Sequence, residues 1–234
     1  MDRAHRLELK HDKFVEQVGT TVEYASEHRA QLIRYGAIAL AVVVIAVGVY
    51  WYMQHEAAVR EDALRVAVRT QEAQVGQPSN EFLIGFPTQQ AKDTAVAKTW
   101  QDLASKYPGT TEGIVAEYYL GINAADKGNT AEAEKHLKTV ADSGKTNFAS
   151  QAKLSLADIY AASGRTKDAE KLLRDLIDHP TIMVSKEEAT YKLGELLAKS
   201  NPAEARKLLE PLRTSRSAVS RAAITLLSTI PAGK

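Results

Sequence analysis

Two stretches of this chain overlay at a fixed offset of 36 residues, and that periodicity limits the possible fold more than any other feature. LGINAADKGNTAEAEKHL, beginning at Leu120, sits over LADIYAASGRTKDAEKLL, beginning at Leu156. Leu120, Gly128, Ala133 and Leu137 thus align with Leu156, Gly164, Ala169 and Leu173. A third copy, KLGELLAKSNPAEARKLLEPL, puts Leu193-Gly194, Ala205 and Leu209 at matching places, with a turn one residue shorter. Each copy reads as helix, tight turn, helix. The small residues Gly121, Ala157 and Gly194 permit close approach of the first helix, and Gly128 or Gly164 ends it in the left-handed conformation. Ala133 and Ala169 are small for the same packing reason, and the Leu four residues later is the knob they support. Hairpins of this kind bury their apolar faces only by stacking on one another, so the expected fold is all-α.

The order of Leu-Gly, Tyr, Gly and Ala positions resembles the tetratricopeptide repeat, a pair of antiparallel helices of about 34 residues. Tyr160 fills the aromatic position, and the resemblance runs over Ala116–Arg213. Upstream, Ala97, Trp100, Leu103 and Tyr107-Pro108 read as the second helix of an earlier unit. Its first helix is expected over His55–Val75, with Leu64, Val68 and Val75 as its apolar positions. The units are placed near 55–108, 113–147, 150–182 and 187–213, with a capping helix over 217–229. The segment 76–90 interrupts the first unit with Pro78, Gly85 and Pro87. It carries Phe82, Leu83, Ile84 and Phe86, which either tuck under the first helix pair or contact a partner.

Ahead of this array lies an uninterrupted apolar stretch, Tyr35 to Met53, with no charged residue from Gly36 to Gln54. Nineteen helical residues rise about 28 Å, close to the hydrocarbon thickness of a bilayer. Tyr35 marks one end and Tyr50-Trp51-Tyr52 the other, where amphipathic rings favour the headgroup level. The preceding segment is long and mixed in charge, and Tyr50-Trp51-Tyr52-Met53 is a poor cleavage site. A retained signal-anchor helix is therefore expected, rather than a removed signal peptide. Arg29 and Arg34 on the near flank favour a cytosolic N-terminus. The expected architecture is a single N-terminal transmembrane helix followed by a tetratricopeptide-like helical-hairpin solenoid over 55–234. Within residues 1–34, Phe14, Val18, Val22, Ala25, Leu32 and Ile33 recur at helical spacing. That helix either lies on the cytosolic membrane surface or a partner, or only leads into the span.

Charge and motif content narrow the function. The formal net charge of +1 argues against a nucleic-acid binder. The six histidines, at 5, 11, 28, 55, 136 and 179, show no HExxH spacing, and there is no Cys, so no metal or haem site is expected. Gly144-Lys145-Thr146 imitates the end of a phosphate-binding loop, but Thr139 stands where that loop needs Gly. No nucleophile elbow or dinucleotide fingerprint occurs. The reading is a non-enzymatic protein without cofactors. Residues 199–234 carry seven basic against two acidic residues, and none of the acids follows Glu210. Arg213, Arg216 and Arg221 thus form either a solvated surface or a contact for an acidic partner or anionic lipid.

The resemblance to tetratricopeptide domains implies a concave groove lined by the first helix of each unit. By repeat register its positions are Tyr118 and Ile122, Leu154 and Asp158, Tyr191 and Glu195, all expected to face an open channel. An aromatic and aliphatic surface with two acids suits apolar peptide segments carrying some positive charge. Leu154 and part of the tyrosines are alternatively core. The whole arrangement resembles the YfgM family, ancillary SecYEG translocon subunits of bacterial inner membranes. That resemblance implies a periplasmic scaffold at the translocon that passes unfolded secretory clients to periplasmic chaperones. A scaffold for cell-division or outer-membrane assembly machinery is the alternative, and a catalytic group hidden in the solenoid is the third.

Overall fold

A computed structural model describes residues 28–77, 84–144 and 147–231. Phe14, Val18, Val22, Ala25, Pro78, Phe82, Leu83, Lys145 and Thr146 lie outside the described residues. The chain divides into two units, Met1–Ala58 and Val59–Lys234. Helix α1, Arg29–Gln71, contributes residues to both. In the first unit it is long and apolar enough to cross a membrane, and none of its most apolar window is buried. Ile38, Val44, Ile45 and Trp51 are all at least 60% exposed. A core helix of a water-soluble domain would be covered by other elements, so this exposed apolar surface is compatible with a single-pass membrane anchor.

The second unit is built from helical hairpins. Residues from Val59 of α1 pack with α2 (Gln89–Lys106), followed by α3 (Thr111–Asp126) and α4 (Thr130–Ser143). Next come α5 (Phe148–Ala162) with α6 (Thr166–Asp178), and α7 (Lys186–Leu197) with α8 (Pro202–Leu209). A 3-10 turn, Glu210–Arg213, leads toward α9 (Ser220–Thr229). Side-chain caps start many of these helices. Thr88 Oγ1 accepts from Ala91 N, Thr110 Oγ1 from Gly113 N, Ser185 Oγ from Glu188 N and Asn201 Oδ1 from Glu204 N.

The glycine turns are closed differently. Gly128 and Gly164 have φ of 78° and 74°. The next amide reaches back in each case, Asn129 N to Ala124 O at 2.9 Å and Arg165 N to Tyr160 O at 2.8 Å. This is the paired-bond C-cap that a left-handed residue makes possible. In the shorter third turn Asn201 and Pro202 replace the glycine, with Pro202 at the first helical position, where its missing N–H costs nothing.

Each hairpin then closes on its small residue. A methyl group at Gly121 would stand 2.7 Å from Leu137 Cγ, and one at Gly194 would stand 2.6 Å from Leu209 Cγ. The middle hairpin carries Ala157 at that position, and Ala133, Ala169 and Ala205 are all fully buried. The main core runs from Ile114 through Leu137, Leu156, Leu173, Leu193 and Leu209 to Ile230. A smaller cluster around Trp100, Leu103, Tyr107 and Val115 joins α1, α2 and α3, and Phe148 packs against both.

Two element bounds differ from the sequence expectation. The first helix of the array ends at Gln71 rather than Val75, because Gln74–Val75 forms a short strand, β1. It pairs in parallel with β2, Gly85–Phe86, where Gln74 N donates to Ile84 O and Gly76 N to Phe86 O. This bridge closes the loop at its base and leaves Phe86 half-buried. The last helix begins at Ser220, three residues after the expected start. Ser215, Ser217 and Ser220 instead bond one another through their hydroxyls, offering the backbone an alternative to the helix.

Two substitutions test this packing by thermal unfolding of the chain in mild detergent. Gly164→Val forces a β-branched residue to positive φ and should cost on the order of 1–2 kcal/mol or more. Gly194→Val drives side-chain atoms into Leu209 and should cost roughly 1–3 kcal/mol. Parental melting in both variants would refute the hairpin register.

Candidate protein-binding face

Side chains on the first helices of neighbouring hairpins meet across the hairpin boundaries. Lys192 Nζ on α7 donates to Asp158 Oδ1 on α5 at 3.0 Å and stands 3.8 Å from Glu195 Oε2. On the preceding pair, the Tyr118 ring of α3 packs against Phe148 of α5, with centroids 5.1 Å apart. The six sequence-predicted positions therefore fall on neighbouring first helices, but not in equal exposure. Asp158 and Glu195 are exposed, while Tyr118, Ile122 and Tyr191 are half-buried. Leu154 is only 7% exposed and belongs to the core, so it does not face an open channel. Its γ-branched side chain packs inward, where the neighbouring hairpin supplies apolar contact.

Tyr118 is also held more firmly than an open-channel residue. It meets Tyr119 edge-on at 5.6 Å, and Tyr119 stacks on Trp100 at 4.4 Å with planes 9° apart. Trp100 Nε1 donates to Gln71 Oε1 at 2.9 Å, and Asn123 Nδ2 donates to the same oxygen at 3.3 Å. One glutamine oxygen of α1 thus ties together α2 and α3, and the aromatic series Trp100, Tyr119, Tyr118, Phe148 carries that order across to α5. Truncating Tyr118 would disturb packing as well as surface.

Lys192 changes the electrostatics expected of this face. Its burial opposes the charged form, but the hydrogen bond to Asp158 and the charges of Asp158 and Glu195 raise its pKa above the ordinary lysine value. Two carboxylates and one ammonium leave a single net negative charge where the acids alone would supply two. Sequence reasoning passed over Lys192, although it follows Tyr191 directly and lies 34 residues after its partner Asp158, close to the repeat period.

Other charged clusters clamp neighbouring hairpins rather than offering chemistry. Tyr160 Oη and Arg165 Nη1 donate to the two oxygens of Glu134 at 3.0 and 2.9 Å, and the Arg165 guanidinium lies 3.9 Å over the Tyr160 ring. Burial would raise the Glu134 pKa, yet the bonds from Arg165 and Tyr160 hold it below the ordinary carboxylate range. Arg174 bridges Glu170 and Glu204, joining α6 to α8. Within the α5–α6 hairpin, Lys153 donates to Asp175 at 2.6 Å and lowers the Asp175 pKa, with burial opposing. Among the described residues no group of three His, Asp or Glu side chains converges to hold a metal ion.

The basic positions separate into distinct environments. Arg213 is exposed and ion-paired with Glu210, while Arg206 donates to the carbonyls of Leu227, Ile230 and Pro231 behind α9. Arg216 and Arg221 are exposed. Arg221 lines an open cleft of about 560 Å³ together with Tyr191, Ala222 and Leu226. The structure thereby brings together residues from two separately expected sites.

A family model described as a tetratricopeptide repeat-like domain matches residues 28–207. No curated protein and no solved structure matches the chain significantly.

The depressed pKa values of Glu134 and Asp175 have a signed consequence. Their ionic stabilisation is fully present above the unfolded carboxylate range, near about pH 4, and is lost as pH falls through the lower folded values. Melting temperature should accordingly drop between pH 6 and pH 3, and the drop should be smaller in Glu134→Gln. Equal drops in both proteins would remove Glu134 from this account.

Proposed function

The chain belongs to the tetratricopeptide repeat-like family, and on that footing we propose that it is a non-enzymatic, membrane-held scaffold that binds protein segments on its first-helix face. The observation that carries this reading is the half-buried apolar surface of Tyr118, Ile122 and Tyr191 beside the Asp158–Lys192–Glu195 group, on helices locked by close packing. Rigid elements present such a face without the cost of ordering it on binding. Because Lys192 offsets one acid, the preferred segment is apolar and extended or helical, with at most a weak need for positive charge.

In this reading residues 1–34 lie in the cytosol, residues 35–53 cross a bacterial inner membrane once, and residues 55–234 form the periplasmic hairpin array. The exposed apolar window of α1 and the basic near flank support it. The likeness in architecture to YfgM-type subunits supports placing the array beside SecYEG, receiving unfolded secretory clients and passing them to periplasmic chaperones. An anchor near the source of clients raises their effective concentration, so micromolar affinity would be sufficient.

Two measurements test the proposal. A reporter active only in the cytosol, fused after residue 234, should be silent, and strong activity would reverse the topology. A photo-crosslinker placed at Ile122 should capture SecYEG subunits and secretory chains. Charge reversal of the exposed Glu195, which leaves the Asp158–Lys192 bond in place, should reduce that capture while leaving the melting temperature near the parental value. Capture of division or outer-membrane assembly proteins instead would overturn the translocon assignment.

A further inference from the structure

The cleft between α7 and α9 has a chemistry opposite to that of the first-helix face. Its wall is the α9 stripe Ala222, Thr225, Leu226 and Thr229, at helical spacing, extended by Ala218 in the turn just before the helix. Thr225 Oγ1 donates to Arg221 O and Thr229 Oγ1 to Leu226 O, so neither hydroxyl needs an acceptor from solution. Ala218, Ala222, Leu226 and the threonine methyl groups give the stripe its apolar surface, the hydroxyl oxygens remain as acceptors, and Tyr191 and Arg221 complete the lining. Arg165, Arg174, Arg206 and Arg213 each meet acceptors within the chain. Arg221, and Arg216 two residues before the lining residue Ala218, meet none among the described residues. No acidic residue follows Glu210, which is itself engaged by Arg213.

We propose that this cleft docks an acidic amphipathic segment of a partner protein, with its apolar side chains on the α9 stripe and Tyr191 and its carboxylates on Arg221 and Arg216. Charge complementarity selects the occupant. A guanidinium binds a carboxylate through two parallel hydrogen bonds, and an apolar wall beside it strengthens the pair by excluding water. A cleft of about 560 Å³ accommodates a few side chains, suited to one or two turns of helix. This site adjoins the first-helix face, sharing Tyr191 with it, and reads the opposite charge.

The test uses the full chain in mild detergent and a fluorescently labelled helical peptide with Glu and Leu at helical spacing. Its twin carries Gln in place of every Glu. Anisotropy should report binding of the Glu peptide that weakens with added salt. The Arg216→Ala, Arg221→Ala double variant should weaken it roughly tenfold or more, as should the change to the Gln peptide. Both arginines are exposed, so melting should stay parental and the loss would not reflect misfolding. Equal binding of the two peptides, undiminished binding by the double variant, or no binding up to about 1 mM would overturn the proposal. Binding to phosphatidylglycerol vesicles that the double variant loses, with no peptide binding, would assign the arginines to lipid instead. These variants leave Ile122, Asp158 and Glu195 intact, so their failure would leave the first-helix reading standing.

Discussion

Close approach of two helices around a residue with little or no side chain is the constraint on which the array depends. Gly121 lets Leu137 sit where a methyl group would otherwise be, and Gly194 does the same for Leu209. Both leucines are fully buried as a result, and each belongs to the core that continues into the next hairpin. Were the helices to separate by the width of one methyl, the leucine would lose dispersion contacts on one side and the stack would lose its register. The turn glycines serve this contact, because a short left-handed turn is what returns the second helix to the first within a few residues.

Polar links then fix one hairpin against the next. Glu134 with Tyr160 and Arg165, Arg174 with Glu204, and Asp158 with Lys192 each cross between hairpins rather than within one. Exposed pairs of this kind add little stability singly. Their effect is on geometry, since a guanidinium on a ring face and a carboxylate with two donors tolerate little rotation. The aromatic series from Trp100 to Phe148 does comparable work at the other end, where Gln71 supplies the acceptor that a buried indole N–H requires.

Much of this was legible in the residues because it is periodic. The hairpins, their turns and their small-residue contacts follow from Leu120, Gly128 and Ala133 recurring at Leu156, Gly164 and Ala169. The apolar helix was legible because an uncharged run of such length has few alternatives. Features set by tertiary contact were less so. Leu154 occupies the same register position as Tyr118 and Tyr191, yet a short branched side chain packs inward where a longer ring reaches the rim. The parallel bridge between Gln74–Val75 and Gly85–Phe86 carries no local signature, since a two-residue strand is too short for alternation to show. Lys192 escaped notice because register reasoning examined one position per turn and the partner of Asp158 lies one residue beyond.

The two surfaces differ in sign although they meet near Tyr191. On the first-helix face Asp158 and Glu195 share Lys192, which leaves apolar rings beside a single net negative charge. At α9 the balance inverts, since Arg216 and Arg221 are exposed and meet no acidic partner among the described residues. Charges left without internal partners contribute nothing to the fold and keep their full hydration until a ligand replaces it. They can therefore discriminate between ligands, whereas Lys192, already satisfied, mainly holds α5 and α7 in register. On the proposed reading, specificity would rest on the charges the packing leaves unpaired, and affinity on the apolar surface beside them.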